Sequence, residues 1–426
     1  MIIKRDSYLR KLIAKRDNGL VKVITGLRRS GKTFLLKELY TSWLKENGVR
    51  AENIVYIQLD KNTSLKYRNP LYLDEYLRAL ISEREGRCYV MIDEIQFSSA
   101  VPNPYLPEEV QSRENDVTFY DTVLGLMDEC DLYITGSNSE MLSSDILTSF
   151  RGRGDEIRVS PLSWSEYTEV FGDTDLAWRN YLLYGGMPYV TQMEADADKK
   201  KYLDDLFEKT YEKDIIERYK IRDEAGVSVL LDYLASTICS FTNSGNIAQS
   251  LKTVSRPTVD SYIGHFENAF LLSEARRFDI RGKEYLQGQQ KYYFTDLGLR
   301  NSRLNFRQYD VPHLLENVVY NELVRRGLSV DVGMVQTRVK NKNGDWQISY
   351  LESDFVINSA DRKMYIQVAE GIDDPGKKKQ EMASLVHIKD GFPKYILINQ
   401  NVPKHYTEEG IIIMSIRDFL LSDDII

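Results

Sequence analysis

The sequence predicts an α/β protein whose N-terminal third carries a parallel sheet covered by helices, and three observations predict it. Short β-rich runs alternate with helical runs from Leu20 to Ser160; a glycine-flanked turn separates the first of these runs from the helix after it; and an apolar run about sixty residues further on ends in two acids. Alternation at this spacing is the sign of parallel strands joined by crossover helices.

The elements follow in order. LVKVITG reads as the first strand and KTFLLKELYTSWLKENG as its helix; NIVYIQLD with YLDEYLRALISEREG, then CYVMIDE with TFYDTVLGLMDEC, repeat the pair, and LYITGS closes the series. Residues 98–116, SSAVPNPYLPEEVQSREND, follow the third strand, and Pro102, Pro104 and Pro107 forbid a regular helix or inner strand there. A surface loop is expected, with a partner-binding loop beside the ligand as the sharper alternative. From about Trp164 to Asp279 the pattern turns helical, as in KKKYLDDLFEKTYEKDIIERYK and VSVLLDYLASTICSFT. After YYFTDLGLRN it becomes mixed: a helix LLENVVYNELVRRG, then strands near LSVDVGMV, WQISYLESDFVIN, KMYIQVAE and KYILIN. The expected domains are therefore 1–163, 164–304 and 305–426.

Composition agrees with a multidomain globular chain. The 426 residues are 42% hydrophobic and 28% charged, which excludes disorder, collagen and a coiled coil. No run approaches the length of a membrane span, and MIIKRDSYLRKLIAKRD has no apolar signal-peptide core, so a cytoplasmic protein without a membrane partner is expected. Cys88, Cys130 and Cys239 are odd in number and far apart, as are His265, His313, His387 and His405, which suits reduced buried thiols better than disulfides or a structural metal. A net charge of -8 argues against a chain that coats nucleic acid nonspecifically.

The glycine-flanked turn is Gly26-Leu27-Arg28-Arg29-Ser30-Gly31-Lys32-Thr33, with Phe34 continuing into the helix. It fits G-x-x-x-x-G-K-[ST] in its required strand-to-helix context. Gly26 and Gly31 let the backbone curl so that N–H groups face phosphates, and the helix adds its positive end. Lys32 is placed to reach the β and γ phosphates of ATP, and Thr33 to offer a hydroxyl to Mg2+. In Tyr89-Val90-Met91-Ile92-Asp93-Glu94, Asp93 is expected to hold the magnesium ion through water and Glu94 to act as general base toward an attacking water. Thr135, Ser137 and Asn138 end the next strand, where α/β proteins bind ligands, and Asn138 could orient the water near the γ phosphate. Arg151 and Arg153, in SFRGRGDEIRVSPLS, sit in a glycine-flanked turn suited to reaching a neighbouring subunit's site. An arginine supplied in trans implies a homo-oligomer, and Arg153 is the stronger of the two.

The stretch GNIAQSLKTVSRPTVDSYIGHFENAFLLSEARRFD reads as helix, turn, helix and β wing, with Ser255 as cap and Pro257 in the first turn. Arg256, Thr258, Asp260, Ser261 and His265 would line the second helix's polar side, and Arg276, Arg277, Arg281 and Lys283 the wing. Such a unit reads DNA or packs domains together, and Asp260 and Glu267 interrupt its basic surface, so DNA and a protein remain alternative partners.

The motifs GLRRSGKT, YVMIDEIQ, ITGSNSEML, GRGDEIRVSPLSWSEY, YGGMPYV, SRPTVDSYIGHFENAFLL, YYFTDLGLRN and LENVVYNELVRRG together resemble prokaryotic AAA+ ATPases of the archaeal-ATPase type fused to a C-terminal domain of unknown function that looks like a restriction-endonuclease fold. The resemblance covers nearly the whole chain. It implies a P-loop AAA+ domain, a winged-helix-like domain and a restriction-endonuclease-like α/β domain, and the roles given above for Lys32, Thr33, Asp93, Glu94 and Asn138. In the pattern that the resemblance implies, active nuclease-like members take acids from a helix and a strand, and the next strand carries an acid or glutamine, any residue, then a lysine. Glu316 and Asp354 match the first two, but the third reads Gln367-Val368-Ala369. Alanine cannot position a nucleophile, and glutamine is a poor ligand for a hard cation. Lys363 lies about 20 Å away along the same strand and Glu370 faces the other way, while Lys377, Lys378 and Lys379 follow in a loop. The expectation is a degenerate site.

Overall fold

A computed structural model describes residues 3–136, 152–340, 345–359 and 362–422, with only the backbone at 212 and 213. The chain forms two compact units: the N-terminal part through Ser160 with the short segment Asn268–Phe270, and Pro161–Glu267 with Leu271 onward.

In the N-terminal unit, β1 (Val21–Thr25), β2 (Ile54–Gln58), β3 (Cys88–Asp93), β4 (Cys130–Thr135) and β5 (Gly154–Arg158) form a parallel sheet in the order β2-β3-β4-β1-β5. Every residue of β1, β3 and β4 is buried, because helices cover both faces, whereas β2 at the edge alternates. Val21 and Val23 join a core with Val90, Ile92, Ile134 and the helices Pro70–Ser82 and Phe119–Leu126. On the opposite face Ile24, Met91 and Tyr133 pack against Tyr8 and Leu12 of the helix Asp6–Ala14 and against Leu35, Leu36, Tyr40 and Leu44. Asn69 accepts from Leu71 and Tyr72 N–H and Pro70 follows in the first turn; Thr118 and Asp121 cap each other reciprocally.

From β1, between β4 and β5, the chain crosses β4 and β3 to reach β2 at the far edge. The loop after β1 therefore opens beside the carboxyl ends of β4 and β3, where open α/β sheets hold ligands. The proline-rich segment carries only short 3-10 turns, Glu108–Val110 and Arg113–Asn115, closed by an isolated bridge between Val101 and Val117. Tyr105 in it is exposed.

The second unit begins with a helix Trp164–Phe171, capped by Ser163 and Glu166, and continues through helices Asp175–Tyr184, Asp196–Tyr211, Glu224–Ser236, Ser244–Leu251 and Arg256–Asn268. Strands β6 (Leu272–Asp279) and β7 (Glu284–Phe294) form an antiparallel hairpin. β8 (Val330–Lys340), β9 (Trp346–Asn358), β10 (Lys363–Ala369), β11 (Lys394–Ile398), β12 (His405–Tyr406) and β13 (Ile412–Ser415) complete a mixed sheet in the order β12-β13-β11-β10-β9-β8-β6-β7. The break expected near residue 305 falls inside this unit. Its reason is hydrogen bonding: Arg277, Phe278 and Asp279 of β6 pair in parallel with Val332, Gly333 and Met334 of β8, so hairpin and C-terminal strands share one sheet. Phe278, Ile280, Val335, Val356, Tyr365, Leu385 and Ile396 form its core. Among the described residues the three cysteines are buried and unpaired by disulfides, and no helix is long and apolar enough to cross a membrane.

Candidate nucleotide site

The loop between β1 and its helix is a tight turn that needs glycine. Gly26 has φ of 128°, and a Cβ there would lie 2.1 Å from the backbone oxygen of Val159. Arg29 and Gly31 also have positive φ, and Ser30 N–H donates to Leu27 O (3.1 Å). The helix then starts at Lys32–Phe34 and runs through a π-helical turn, Leu35–Tyr40, into Thr41–Glu46. Leu27 and Ser30 are buried, Arg28 is half-buried, and Arg29 and Phe34 are exposed.

Lys32 is buried, and its Nζ donates to the backbone oxygens of Gly26 (2.8 Å) and Leu27 (3.0 Å), so the ammonium is held across the mouth of the loop. Thr33 Oγ1 donates to Asp93 Oδ2 (2.8 Å), which joins the loop's helix to the end of β3. Tyr56 of β2 donates to the same oxygen (2.6 Å), and Thr135, at the end of β4, donates to Asp93 Oδ1. Thr135 Oγ1 also accepts from Glu94 N–H (3.0 Å). Glu94 itself adopts a left-handed backbone, φ 59°, which turns its half-buried side chain out of the strand direction. Gln96 Nε2 donates to Glu94 Oε2. Burial foremost, and Asp93 beside it, raise the Glu94 carboxyl above its ordinary range, while Lys32 opposes them.

These residues fit a nucleotide with magnesium. Ser30 Oγ is buried and finds no hydrogen-bond partner among the described residues, an orphaned donor within the curled loop. Thr33 and Asp93 present a hydroxyl and a carboxylate at hydrogen-bond distance, the hard oxygen pair that Mg2+ takes alongside phosphates and water. Tyr56 and Gln96 are the members that sequence reasoning missed. The period-2 pattern of NIVYIQLD marks Tyr56 only as a partly covered edge residue, and the one signal for its role is a hydroxyl near the carboxyl end of a strand beside β3.

Asn138, Ser137 and Arg151 fall outside the described residues. Arg153 is exposed, and its backbone oxygen accepts from Val21 N–H (2.9 Å) at the start of β1, so it stands at the end of the sheet opposite the loop, about 16 Å along the strand. In the second unit Ser255 Oγ accepts from Thr258 N–H (3.4 Å) at the start of the helix Arg256–Asn268. Arg256, Asp260 and Ser261 are exposed, but Ser244 donates to Asp260, and His265 stacks on Tyr219 with ring centroids 3.5 Å apart.

Glu316, Asp354 and Gln367 line one cleft of about 540 Å3, joined there by Lys291, Glu352 and Glu381. Asp354 Oδ2 accepts from Val368 N–H (2.7 Å), and Gln367 Nε2 donates to Glu381 (3.1 Å). Lys291, which no motif singles out, reaches the cleft from β7 and contacts Glu316 (2.8 Å) and Glu352 (2.5 Å); Tyr293 donates to Glu316 as well (2.7 Å). Burial disfavours the Lys291 ammonium, but Glu316, Asp354 and Glu352 outweigh it and raise its pKa. Asp354 is raised by burial and then by Glu316. Lys363 is ion-paired instead with Asp390 (3.3 Å).

The parallel sheet, the curled loop and the acidic strand end define a P-loop nucleotide-binding domain. Residues 18–168 match the AAA domain, and residues 175–310 match a domain of unknown function (DUF8612). An uncharacterized protein of Haemophilus influenzae is 31% identical over 430 residues, covering 99% of each chain. The uncharacterized protein MJ1544 of Methanocaldococcus jannaschii is 27% identical over 410 residues, 91% of this chain and 82% of its own. The chain belongs to one family with the Haemophilus protein, and its N-terminal unit is an AAA domain. Among solved structures, AMPPCP-bound DnaA from Aquifex aeolicus is similar over 62% of this chain and 88% of its own, at 13% identity and a TM-score of 0.31.

Proposed function

We propose that the protein is a magnesium-dependent ATPase whose nucleotide cycle moves its C-terminal unit on a partner. The observation that carries this reading is the convergence of Lys32, Thr33, Asp93 and Glu94 at the carboxyl ends of β1 and β3. Lys32 would exchange its two carbonyl contacts for the β and γ phosphates of ATP, and Thr33 directly and Asp93 through water would hold Mg2+, which would neutralise charge shared by those phosphates. Glu94 takes the proton of the attacking water, and its raised carboxyl suits a base working near neutral pH. Asn138 orients that water. Arg153, exposed and remote from its own loop, serves the site of a neighbouring copy, with Arg151 as the alternative; this makes the working form a homo-oligomer.

In the second unit, the helices Ser244–Leu251 and Arg256–Asn268 with the β6–β7 hairpin act as a winged-helix-like module, and the strands after them as a restriction-endonuclease-like one. The cleft of Glu316, Asp354 and Gln367 binds or docks without cutting. A lysine kept as ammonium by three acids cannot act as a base, and it occupies the charge that a metal would otherwise neutralise.

The test is ATP hydrolysis by the wild type and by Glu94→Gln, with and without duplex DNA, following the DNA on a gel in magnesium. Hydrolysis that is lost in Glu94→Gln and leaves DNA intact supports the reading, and stimulation by DNA identifies the partner. No magnesium-dependent hydrolysis by the wild type overturns it. A second reading, an ATP-dependent DNA-processing enzyme, is favoured by the gathering of Glu316 and Asp354 in one cleft; it stands if DNA is cut and Asp354→Ala abolishes cutting.

A further inference from the structure

The outer halves of β8 and β9 leave the sheet as a two-stranded ribbon. β6 pairs with β8 only at Val332–Met334 and β10 pairs with β9 only at Phe355–Asn358, whereas β8 and β9 pair with each other out to Lys340 and Trp346. Directly opposed residues share a face, so Lys340 with Trp346, Arg338 with Ile348 and Gln336 with Tyr350 line one side. On that side Trp346 is 66% exposed, Ile348 60% and Tyr350 38%. A tryptophan and an isoleucine left this open at consecutive same-face positions form a continuous apolar stripe.

Charge identifies what covers the stripe. Its two charged members are both cations, Arg338 and Lys340, and Lys340 Nζ stands 5.2 Å from the Trp346 ring centroid. The next acid along the face, Glu352, is paired with Lys291, so it does not repel an anion. A chain with a net charge of -8 thus concentrates exposed aromatic surface and positive charge on one projecting ribbon. Cations beside flat rings match phosphates beside bases. Same-face side chains recur about every 7 Å along a strand, twice the roughly 3.4 Å step of a stacked duplex strand, which suits bases that are splayed apart rather than stacked.

We propose that this ribbon face binds single-stranded nucleic acid, with Trp346 and Tyr350 as stacking platforms, Ile348 between them, and Arg338 and Lys340 on the phosphates. The site is built from other elements than the nucleotide loop and the helix Arg256–Asn268, and it stands whether or not ATP is hydrolysed.

The experiment is fluorescence anisotropy of a labelled short oligothymidylate with the full-length chain across a salt series. Trp346→Ala and Tyr350→Ala are each expected to weaken binding about tenfold, while Trp346→Phe, which keeps a ring, stays within about twofold of wild type. Arg338→Ala with Lys340→Ala is expected to reduce the log–log salt slope by about 1.4, two phosphate contacts on a single strand. All four positions are exposed, and unchanged circular dichroism and thermal unfolding confirm intact variants. Binding that survives Trp346→Ala overturns the proposal. Equal affinity for a duplex of the same sequence overturns the single-strand assignment. Tighter, Trp346-dependent binding to phosphatidylglycerol vesicles than to the oligonucleotide makes the ribbon a membrane surface instead.

Discussion

Tyr56 donates its phenolic hydrogen to Asp93 Oδ2 at 2.6 Å across neighbouring parallel strands. Burial, then Asp93 itself, raise the phenol's pKa, so Tyr56 remains a donor at any working pH. Thr33 uses the same carboxylate oxygen, and in the proposed reaction Thr33 turns to the metal, which leaves Tyr56 and Thr135 to fix the acid. Tyr56→Phe is expected to raise the magnesium concentration for half-maximal ATPase activity about tenfold, the worth of one hydrogen bond to a charged group. Nucleotide binding without magnesium should not change. A magnesium titration of both proteins checks this, and equal half-saturation shows Tyr56 to be a packing residue.

Glu94→Gln keeps the shape and the Gln96 neighbour but removes the base. ATP hydrolysis is expected to fall at least about a hundredfold while nucleotide affinity is retained. Because burial raises the Glu94 carboxyl, the acid limb of the wild-type rate profile should lie above the ordinary glutamate range, with the rate rising as pH rises through it. A pH profile with that limb still present in residual Glu94→Gln activity would assign it to another group.

Much of the nucleotide site was legible because its chemistry is local. Gly26 to Thr33 form one turn, and Asp93 ends one strand, so a linear motif carries most of the geometry. Tyr56 and Lys291 were not legible for the converse reason: each meets its carboxylate through pairing between strands far apart in sequence. The same holds for the boundary near residue 305. The helical and mixed patterns change there, but the parallel pairing of β6 with β8 is a nonlocal register that no window of sequence displays. Counting for a lysine along β10 alone overlooked one arriving from β7.

Gly26 combines a φ of 128° with the backbone of Val159 at its hydrogen. Gly26→Ala would place Cβ 2.1 Å from a carbonyl oxygen that cannot rotate aside. The substitution is expected to cost about 2 kcal/mol or more of stability and to abolish ATP binding, since the loop must shift to admit the methyl. Thermal unfolding with and without ATP reports both effects. A variant that is still stabilised by ATP would show that the loop tolerates a different entry from β1.

Lys22 and Asp131 form an ion pair inside the sheet of the N-terminal unit, their side chains 0% and 1% exposed. Tyr133 OH (2.6 Å) and Asp17 N–H (3.1 Å) complete the acid's hydrogen bonds. Asp131→Ala leaves a buried ammonium unpaired and is expected to destabilise the unit by about 3–5 kcal/mol. Adding Lys22→Met should recover part of that loss, because the uncompensated charge is then gone. Chemical denaturation of the single and double variants measures the coupling, and a double variant no better than the single one would place the cost in the lost tyrosine contact.

Asp296 caps the helix Leu297–Arg303, accepting from Leu299 N–H (3.0 Å) and, through its other oxygen, from Gly186 N–H (2.8 Å). Burial nevertheless dominates over these donors and pushes its pKa from 3.8 up to about 6. The native carboxyl therefore holds a proton more tightly than the unfolded one. Its contribution to stability is complete below pH 3.8 and is lost as pH rises through about 6. Asp296→Asn cannot titrate, and any constant loss from its altered hydrogen bonds is independent of pH. The stability of the wild type relative to Asp296→Asn is thus expected to fall by about 1.4 kcal/mol between about pH 5 and pH 7. Urea unfolding of both proteins across that range reads the difference. A flat difference would mean that the Gly186 and Leu299 donors offset burial and hold Asp296 as a carboxylate throughout.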